Sequence, residues 1–387
     1  MNAHTQSAST PLVGLLKELV SIESFSGEEL AVQSHILNWF RARGLPAELR
    51  QADGGLKNLV LEIEGAAGAG DGPVLWIGGH CDTVGVAADW THEPHRPTVR
   101  DGRLYGLGAM DMKGGLAAAM DVVAELADRR GEWRGKIIFA ALADEEAFSR
   151  GADAFVREAG RIDAAIMCEP HFHDVVIGAM GKLNILVEAR GRSAHASRPE
   201  EGVNAVVEAA KLLVAIDAMP RRPHPEFGPA SHCVLNVSSG GERYEIRVPD
   251  RCSFRINWHL MPGETLQEAL AALQALAAGL ESGAEFSFEI GAPRYESFAL
   301  AKDSGFIARF AESYRAVLGE EPQLAFGRGV SDANIFAGRG SIPTLLFGPD
   351  GANMHAGDEW VDLQQLHLAR AVYLDFALRF LAPDERP

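Results

Sequence analysis

The chain has 387 residues, 47% of them hydrophobic, which is enough for a sizeable core and more than a single domain ordinarily holds. A formal net charge of −17 argues against nucleic acid or an anionic membrane surface as partner, because phosphates are bound by clustered Lys and Arg. No apolar run approaches the roughly 20 residues that span a bilayer, and the polar opening "MNAHTQSAST" lacks the apolar core of a signal peptide, so it reads as a short loose arm.

The first third alternates helix and strand signals. "PLVGLLKELVSI" and "EELAVQSHILNWFRARG" carry apolar residues at helical spacing, the second closing on Gly44 as a C-cap. "NLVLEIEG" and "VLWIGGH" read as strands, "GGLAAAMDVVAELADRR" as a helix, and "KIIFAALADEE" and "AAIMCEP" as further buried strands. Continuous apolar strands separated by helices predict an α/β fold, a mostly parallel sheet flanked by helices. Near Gly178 the pattern changes. "GKLNILVEARG", "SHCVLNVSS", "RYEIRVPD", "CSFRINWHL" and "EFSFEI" read as strands, with helices from about Asn204 to Ala218 and over "TLQEALAALQALAAGL". Strands with two helices on one face predict an α+β insert over Ala179 to Ala292, inside a discontinuous domain of residues 1–178 and 293–387. The α/β pattern then resumes with helix "SGFIARFAESYRAVLG", strand "TLLFG" and a terminal helix from Asp362.

The polar residues on this apolar frame fall in one kind of place. His80 and Asp82 follow "VLWIGG", Glu145 and Glu146 close "IIFAALADEE", and Glu169 closes "AAIMC". Asp111 sits in the Gly-rich loop "GLGAMDMKGG", and His355 in "GANMHAGDEW". In an open parallel sheet, ligands bind outside the carboxyl ends of the strands. Any one such carboxylate is more often a helix cap or a loop hydrogen-bonder. A cluster of them repels unless something cationic holds it, and mixed His and carboxylate donors suit zinc or a similar transition ion.

The motifs "GGHCDTV", "DGRLYGLGAMDMKGG", "ADEEAFSRGA", "CEP", "GRSAHASRPEEGVNA", "VSDANIF" and "NMHAGDEW" resemble, in order and spacing, the co-catalytic zinc hydrolases that include acetylornithine deacetylase, succinyl-diaminopimelate desuccinylase, glutamate carboxypeptidase and aminoacylase. The resemblance runs from Leu12 to the terminal helix. It implies a zinc-exopeptidase-like catalytic domain with an inserted lid and dimerisation domain. It implies two divalent metal ions, zinc before cobalt or manganese, with Asp111 bridging, His80 and Glu169 on one ion, and Glu146 and His355 on the other. Asp82 would then hold the His80 imidazole, and Glu145 would be the general base. His195 would stabilise the oxyanion from the insert of a partner subunit, which implies a homodimer.

Other polar residues have plainer readings. Gly114 and Gly115 allow tight turning into the following helix, and Cys81 and Cys168 are small core residues. Four scattered cysteines without a CxxC pair are reduced thiols of a cytoplasmic protein. His171 and His173 are loop histidines, and His92 and His95 surface residues.

The insert departs from the family where substrate is usually gripped. Asn257 and His259 replace the Asp and Arg of an Asp-x-Arg before the "PG" turn, and Ile246 stands where relatives place Asn. An imidazole cannot grip a carboxylate bidentately, so Arg328, beside Ser331 and Asp332, is a second candidate for carboxylate binding. The expected function is hydrolysis of an N-acyl amino acid or related N-acyl amine, with no membrane or nucleic-acid partner. The alternatives are an exopeptidase and a non-catalytic small-molecule-binding protein on the same fold.

Overall fold

The structure, a computed structural model, describes residues 10–66, 72–240 and 244–382. The expected N-terminal arm lies outside the described residues apart from Thr10, whose side chain caps the first helix. The chain forms two compact units. One runs up to Gly178 and resumes over Ala299–Ala325 and from Ser331; the other is Ala179–Phe298 with Phe326–Val330. The expected insert boundary at Ala292 thus falls inside a strand, since the last insert strand continues to Tyr295. A return visit by Phe326–Val330 has no sequence signal of its own.

In the first unit, α1 (Pro11–Val20) and α2 (Leu30–Arg41) lead into β1 (Glu48–Gln51) and β2 (Lys57–Glu64). Gly44 takes φ +73 but sits past the end of α2, whose C-cap is Ala42. Then follow β3 (Val74–His80), β4 (Thr98–Arg100), β5 (Arg103–Tyr105), α3 (Gly114–Asp128), β6 (Lys136–Leu142), α4 (Arg150–Glu158), β7 (Ala164–Met167) and β8 (Asp174–Ala179). Helix α4, polar and short, was not anticipated from the sequence. Gly114 opens α3 in ordinary helical geometry, and a Cβ there would meet the Ala109 carbonyl oxygen at 2.7 Å, so this residue does allow the tight turn into the helix. A Cβ on Gly115 would fall on the Cys168 carbonyl oxygen, so that residue lets α3 press against the end of β7.

The second unit begins with β9 (Gly181–Arg190) and continues through α5 (Ala205–Asp217), the short pair β10 (Pro223–His224) and β11 (Gly228–Pro229), β12 (His232–Ser239), β13 (Arg251–Leu260), α6 (Leu266–Ala278) and β14 (Glu285–Tyr295). Its sheet has the order β12-β13-β9-β14, with antiparallel neighbours. Alternation explains its core. Leu183, Ile185, Val187 and Ala189 of β9 and Phe254, Ile256 and Trp258 of β13 pack against Ala209, Leu212 and Ile216 of α5 and Leu273 of α6. Asn204 and Thr265 cap the two helices, each cap contributing about 1 kcal/mol. "RYEIRVPD" is not a strand: among its described residues only Arg247 makes an isolated bridge, to His195. Its period-two apolar residues divide: Tyr244 and Ile246 are exposed, while Val248 is buried and donates its N–H to the Ala194 carbonyl at 2.8 Å.

The first unit closes with β15 (Phe298–Ala299), α7 (Gly305–Leu318), β16 (Gln323–Gly327), β17 (Thr344–Leu346), β18 (Gly351–Ala352), β19 (Trp360–Asp362) and α8 (Leu363–Phe380). Its nine-stranded sheet has the order β1-β2-β6-β3-β7-β17-β8-β15, with β16 against β8. The centre β6-β3-β7-β17 is parallel, and β1, β2 and β8 add antiparallel flanks. The parallel centre matters for function, because the carboxyl ends of β3, β6 and β7 all open on one edge. A second sheet, β18-β19-β5-β4, braces the loops around Asp111 and His355. None of the described helices is long and apolar enough to cross a membrane.

Candidate metal centre

β3 ends on His80, buried with its imidazole aimed across the strand ends. His80 Nε2 lies 3.1 Å from Asp111 Oδ1. The other oxygen, Asp111 Oδ2, lies 3.1 Å from His355 Nε2, which is also 2.9 Å from Glu146 Oε1. One carboxylate thus presents its two oxygens to two imidazoles from opposite ends of the chain. His80, Asp111 and Glu146 each bring a donor atom within 4.8 Å of the others.

Asp82 does more than the sequence reading assigned it. Its carboxylate stands 3.5 Å from His80 Nδ1, while its carbonyl oxygen is nearer, at 3.0 Å. Its two carboxylate oxygens accept the backbone N–H groups of Glu145 and Glu146, each at 3.1 Å, and the Ser26 hydroxyl at 2.7 Å. A single buried side chain therefore ties the end of β3 to the Glu145–Glu146 turn.

Glu169, at the end of β7, is buried near His80, Asp111 and Glu146. Burial pushes its carboxyl well above the usual range; His80 opposes this, and the charges of Asp111, Glu146 and Asp332 add to it. Glu145 is raised for the same first reason, burial, with Glu169, Asp332 and Glu146 adding repulsion. Burial also works against protonation of His80, yet hydrogen bonds to Asp111 and Asp82 outweigh it and hold the imidazole well above its ordinary value. Hydrogen bonds to Asp111 and Glu146 raise His355 to about 10. Asp111 itself is held well below the carboxylate range by the two imidazoles, against its burial.

Asp111, Glu146 and Glu169 crowd beside His80 and His355, a cluster of carboxylates whose mutual repulsion a cation would relieve. The donors fit divalent ions: nitrogen and oxygen only, one carboxylate placed to bridge, and no thiolate among them. Cys81 and Cys168 adjoin the site but are buried, and burial raises both thiols, Cys168 to about 12. His171 is partly buried and lowered by that burial, and His173 Nε2 stands 3.3 Å from Gln365, so the two do not share a site. His95, expected at the surface, is half-buried and its imidazole lowered by burial.

Three contributors went unassigned in the sequence. Glu359 is buried four residues beyond His355, and its carboxylate accepts three backbone N–H groups of the Asp111 loop. Burial raises it to about 7 despite those bonds. Lys113 is fully buried, donates to the carbonyls of Leu19 and Ile22, and is lowered to about 8 by burial. Asp332, buried near His80 and Asp82, is raised to about 7 by its desolvation. The signal for Glu359 was the acidic "DE" after a ligand-type His; for Lys113 and Asp332 there was none.

The remaining predicted residues lie in the second unit. His195 is exposed, with Nδ1 2.8 Å from the Ser197 hydroxyl. His259 faces away from the helices, its Nδ1 2.9 Å from the Ser231 hydroxyl and its backbone opposite Lys182. Burial, then the charges of Lys182 and Arg328, lower its imidazole.

Imidazoles and carboxylates gathered at the carboxyl edge of a parallel sheet, around an aspartate that meets both imidazoles, mark a metal-dependent hydrolase. The chain belongs to peptidase family M20/M25/M40, whose sequence profile matches residues 76–379. It is 29% identical to a succinyl-diaminopimelate desuccinylase of Gluconacetobacter diazotrophicus over 389 residues, covering 97% of this chain and 98% of that one. A desuccinylase of Methylorubrum populi is 29% identical over 321 residues, 78% of this chain and 81% of the other. Among solved structures, the fold matches aminopeptidase PepT from Bacillus cereus with a TM-score of 0.79 at 22% identity, over 95% of this chain and 98% of that one. It also matches a tripeptidase from Staphylococcus aureus with a TM-score of 0.76 at 25% identity, over 96% and 98%.

Proposed function

We propose that this chain cleaves the amide bond of a small N-acyl amino acid, as a desuccinylase-like deacylase. The observation that carries the reading is the pair of imidazoles, His80 and His355, on the two oxygens of Asp111 with Glu146 alongside. Two divalent ions, zinc before cobalt or manganese, would be held by His80, Asp111 and Glu169 and by Asp111, Glu146 and His355. Such ions polarise the scissile carbonyl and lower the pKa of water. Glu145 is the base: its carboxylate takes the proton of the attacking water and passes it to the departing amine. Burial raises its carboxyl, the direction that favours the donating half of that role.

His195 serves as the additional donor to the oxyanion, and is exposed as a residue offered to another surface must be. A carboxylate on the substrate is gripped by Arg328, with His259 as a hydrogen-bond donor; the low imidazole pKa leaves the charge to the guanidinium. A homodimer through the insert is supported by the open edge strand β12, where Leu235 is 58% and Val237 52% exposed. Free cysteines, three of them buried, agree with a cytoplasmic setting.

The second reading is an exopeptidase, favoured by the similarity in fold to the tripeptidase. The deciding experiment loads the protein with zinc or cobalt and offers N-succinyl, N-acetyl and N-formyl amino acids alongside di- and tripeptides. Release of free amine from an N-acyl compound supports the deacylase, and release from peptides alone supports the exopeptidase. Metal uptake with no turnover anywhere in the panel would leave only the binding protein.

A further inference from the structure

One side chain bonds directly from the His355 loop to the backbone of the Asp111 loop, beside the pairing of β19 with β5. Glu359 Oε2 accepts the N–H of Gly108 at 2.9 Å, and Oε1 accepts those of Met110 at 2.8 Å and Asp111 at 3.0 Å. Its own carbonyl accepts the N–H of Gly106 at 3.0 Å. Four backbone amides of residues 106–111 therefore converge on a residue only four positions beyond His355. Charge-assisted bonds of this kind are about twice as strong as neutral ones.

The rest of the His355 loop is stapled independently. Asp358 accepts the N–H groups of Thr91 and His92 at 2.9 and 3.0 Å, and the Thr91 hydroxyl at 2.6 Å. Asp89 accepts the N–H of Gly357 at 3.0 Å. Those bonds fix the His355 side; β19–β5 pairing reaches as far as Tyr105 and the Glu359 carbonyl reaches Gly106, and the Glu359 carboxylate extends the fixed frame to Asp111 itself. The receiving loop has little freedom to compensate. Gly108 sits at φ +74, and a Cβ there would meet Thr83 Cγ2 at 2.6 Å.

We propose that Glu359 is a positioning residue that sets the spacing between Asp111 and His355 and so shapes the metal site before a cation arrives. The inference rests on the reading that Asp111 and His355 are ligands. Glu359 touches neither substrate nor metal; it acts through the backbone of Asp111. Partners of this sort commonly contribute about 10–100-fold in metal affinity when lost. Glu359→Gln is the informative change. It keeps the shape but turns an NH₂ toward at least one backbone N–H, so the three bonds cannot all survive.

The test measures Co²⁺ affinity of the metal-free full chain by competition with a chelator, together with the visible spectrum of the bound Co²⁺. Folding is checked by far-UV circular dichroism. Expected for E359Q is a folded protein that binds Co²⁺ about 10–100-fold more weakly and with an altered spectrum, since the ligand geometry has moved. Parent-like affinity and spectrum overturn the inference while leaving the metal reading intact. A parent chain that binds no Co²⁺ overturns both. Should E359Q fail to fold, hydrogen exchange on the metal-free parent decides. Protected amides at Gly108, Met110 and Asp111 bear the inference out; exchange that is fast until metal is added overturns it.

Discussion

The carboxylate of Asp82 accepts the backbone N–H of Glu145 at 3.1 Å, so the residue two past His80 orients the turn that bears the base. Its second oxygen does the same for Glu146. Burial pushes this carboxyl up, but the His80 imidazole first, and then the Ser26 hydroxyl and the Glu145 N–H, hold it below the usual carboxylate range. Asp82→Asn keeps one acceptor oxygen and puts an NH₂ against donors on the other side. We expect kcat/KM to fall by about 10–100-fold, with metal affinity falling alongside, because both the His80 imidazole and the Glu145–Glu146 turn lose their anchor. Steady-state kinetics and metal analysis on the same preparation check this. Values within twofold of the parent would show that the turn holds itself.

Glu145 separates chemistry from metal binding. The His355 imidazole engages Glu146 and Asp111, while burial first, and then repulsion from Glu169, Asp332 and Glu146, raises the Glu145 carboxyl against the pull of His80. Glu145→Gln removes the base and also one negative charge from a crowded cluster. Turnover should fall by at least about 100-fold while the bound metal per chain stays at the parent's level. Turnover that survives the change would assign the proton to another group.

Much of this was legible in the sequence, for a physical reason. Long apolar runs such as "VLWIGG" and "KIIFAAL" must be buried, and the first polar residue after each must stand at a strand end. His80 follows directly from that, and Glu145, Glu146 and Glu169 nearly so. Caps were legible too: Asn204, Ser304 and Asp362 each accept an N–H of the helix they precede. What stayed hidden acts through the backbone or over long separations. Glu359 bonds amides about 250 residues earlier, which no local pattern encodes. Tyr244 and Ile246 misled because alternation does not say how far a segment pairs: contact with residues 194–196 stops at an isolated bridge, and both side chains stay exposed.

Metal loading should release protons. In the metal-free chain His355, raised to about 10 by Asp111 and Glu146, is an imidazolium at neutral pH. The sign is that of a raised group. Pairing of the charged imidazole stabilises the metal-free fold fully below about pH 6.5, and that contribution is lost as pH rises toward 10. Metal competes for the same nitrogen, so affinity moves the other way and increases with pH. Titration calorimetry with Zn²⁺ at pH 7.5, in buffers of different ionisation enthalpy, should report about one or more protons released per chain, and fewer in His355→Gln. A binding heat that does not depend on the buffer would mean His355 is neutral beforehand or unbound afterwards.

The last prediction concerns the second copy. β12 is the open edge of the insert sheet, and exposed Leu235 and Val237 lie along it, a surface that invites pairing with another strand. If two inserts pair there, sedimentation should give a dimer, and Leu235→Glu should shift it toward monomer without lowering metal content. A dimer would also let His195 act in the partner's site, and mixing separates that from action in its own. Glu145→Gln lacks the base and His195→Ala lacks the donor, so each alone should be nearly inactive. Exchanged one to one, half the dimers are mixed, and each mixed dimer holds one site with both groups intact if His195 crosses over. Activity should then recover to about a quarter of the parent's, the fraction set by a symmetric dimer. No recovery after verified exchange would place His195 in its own subunit's chemistry, or in none.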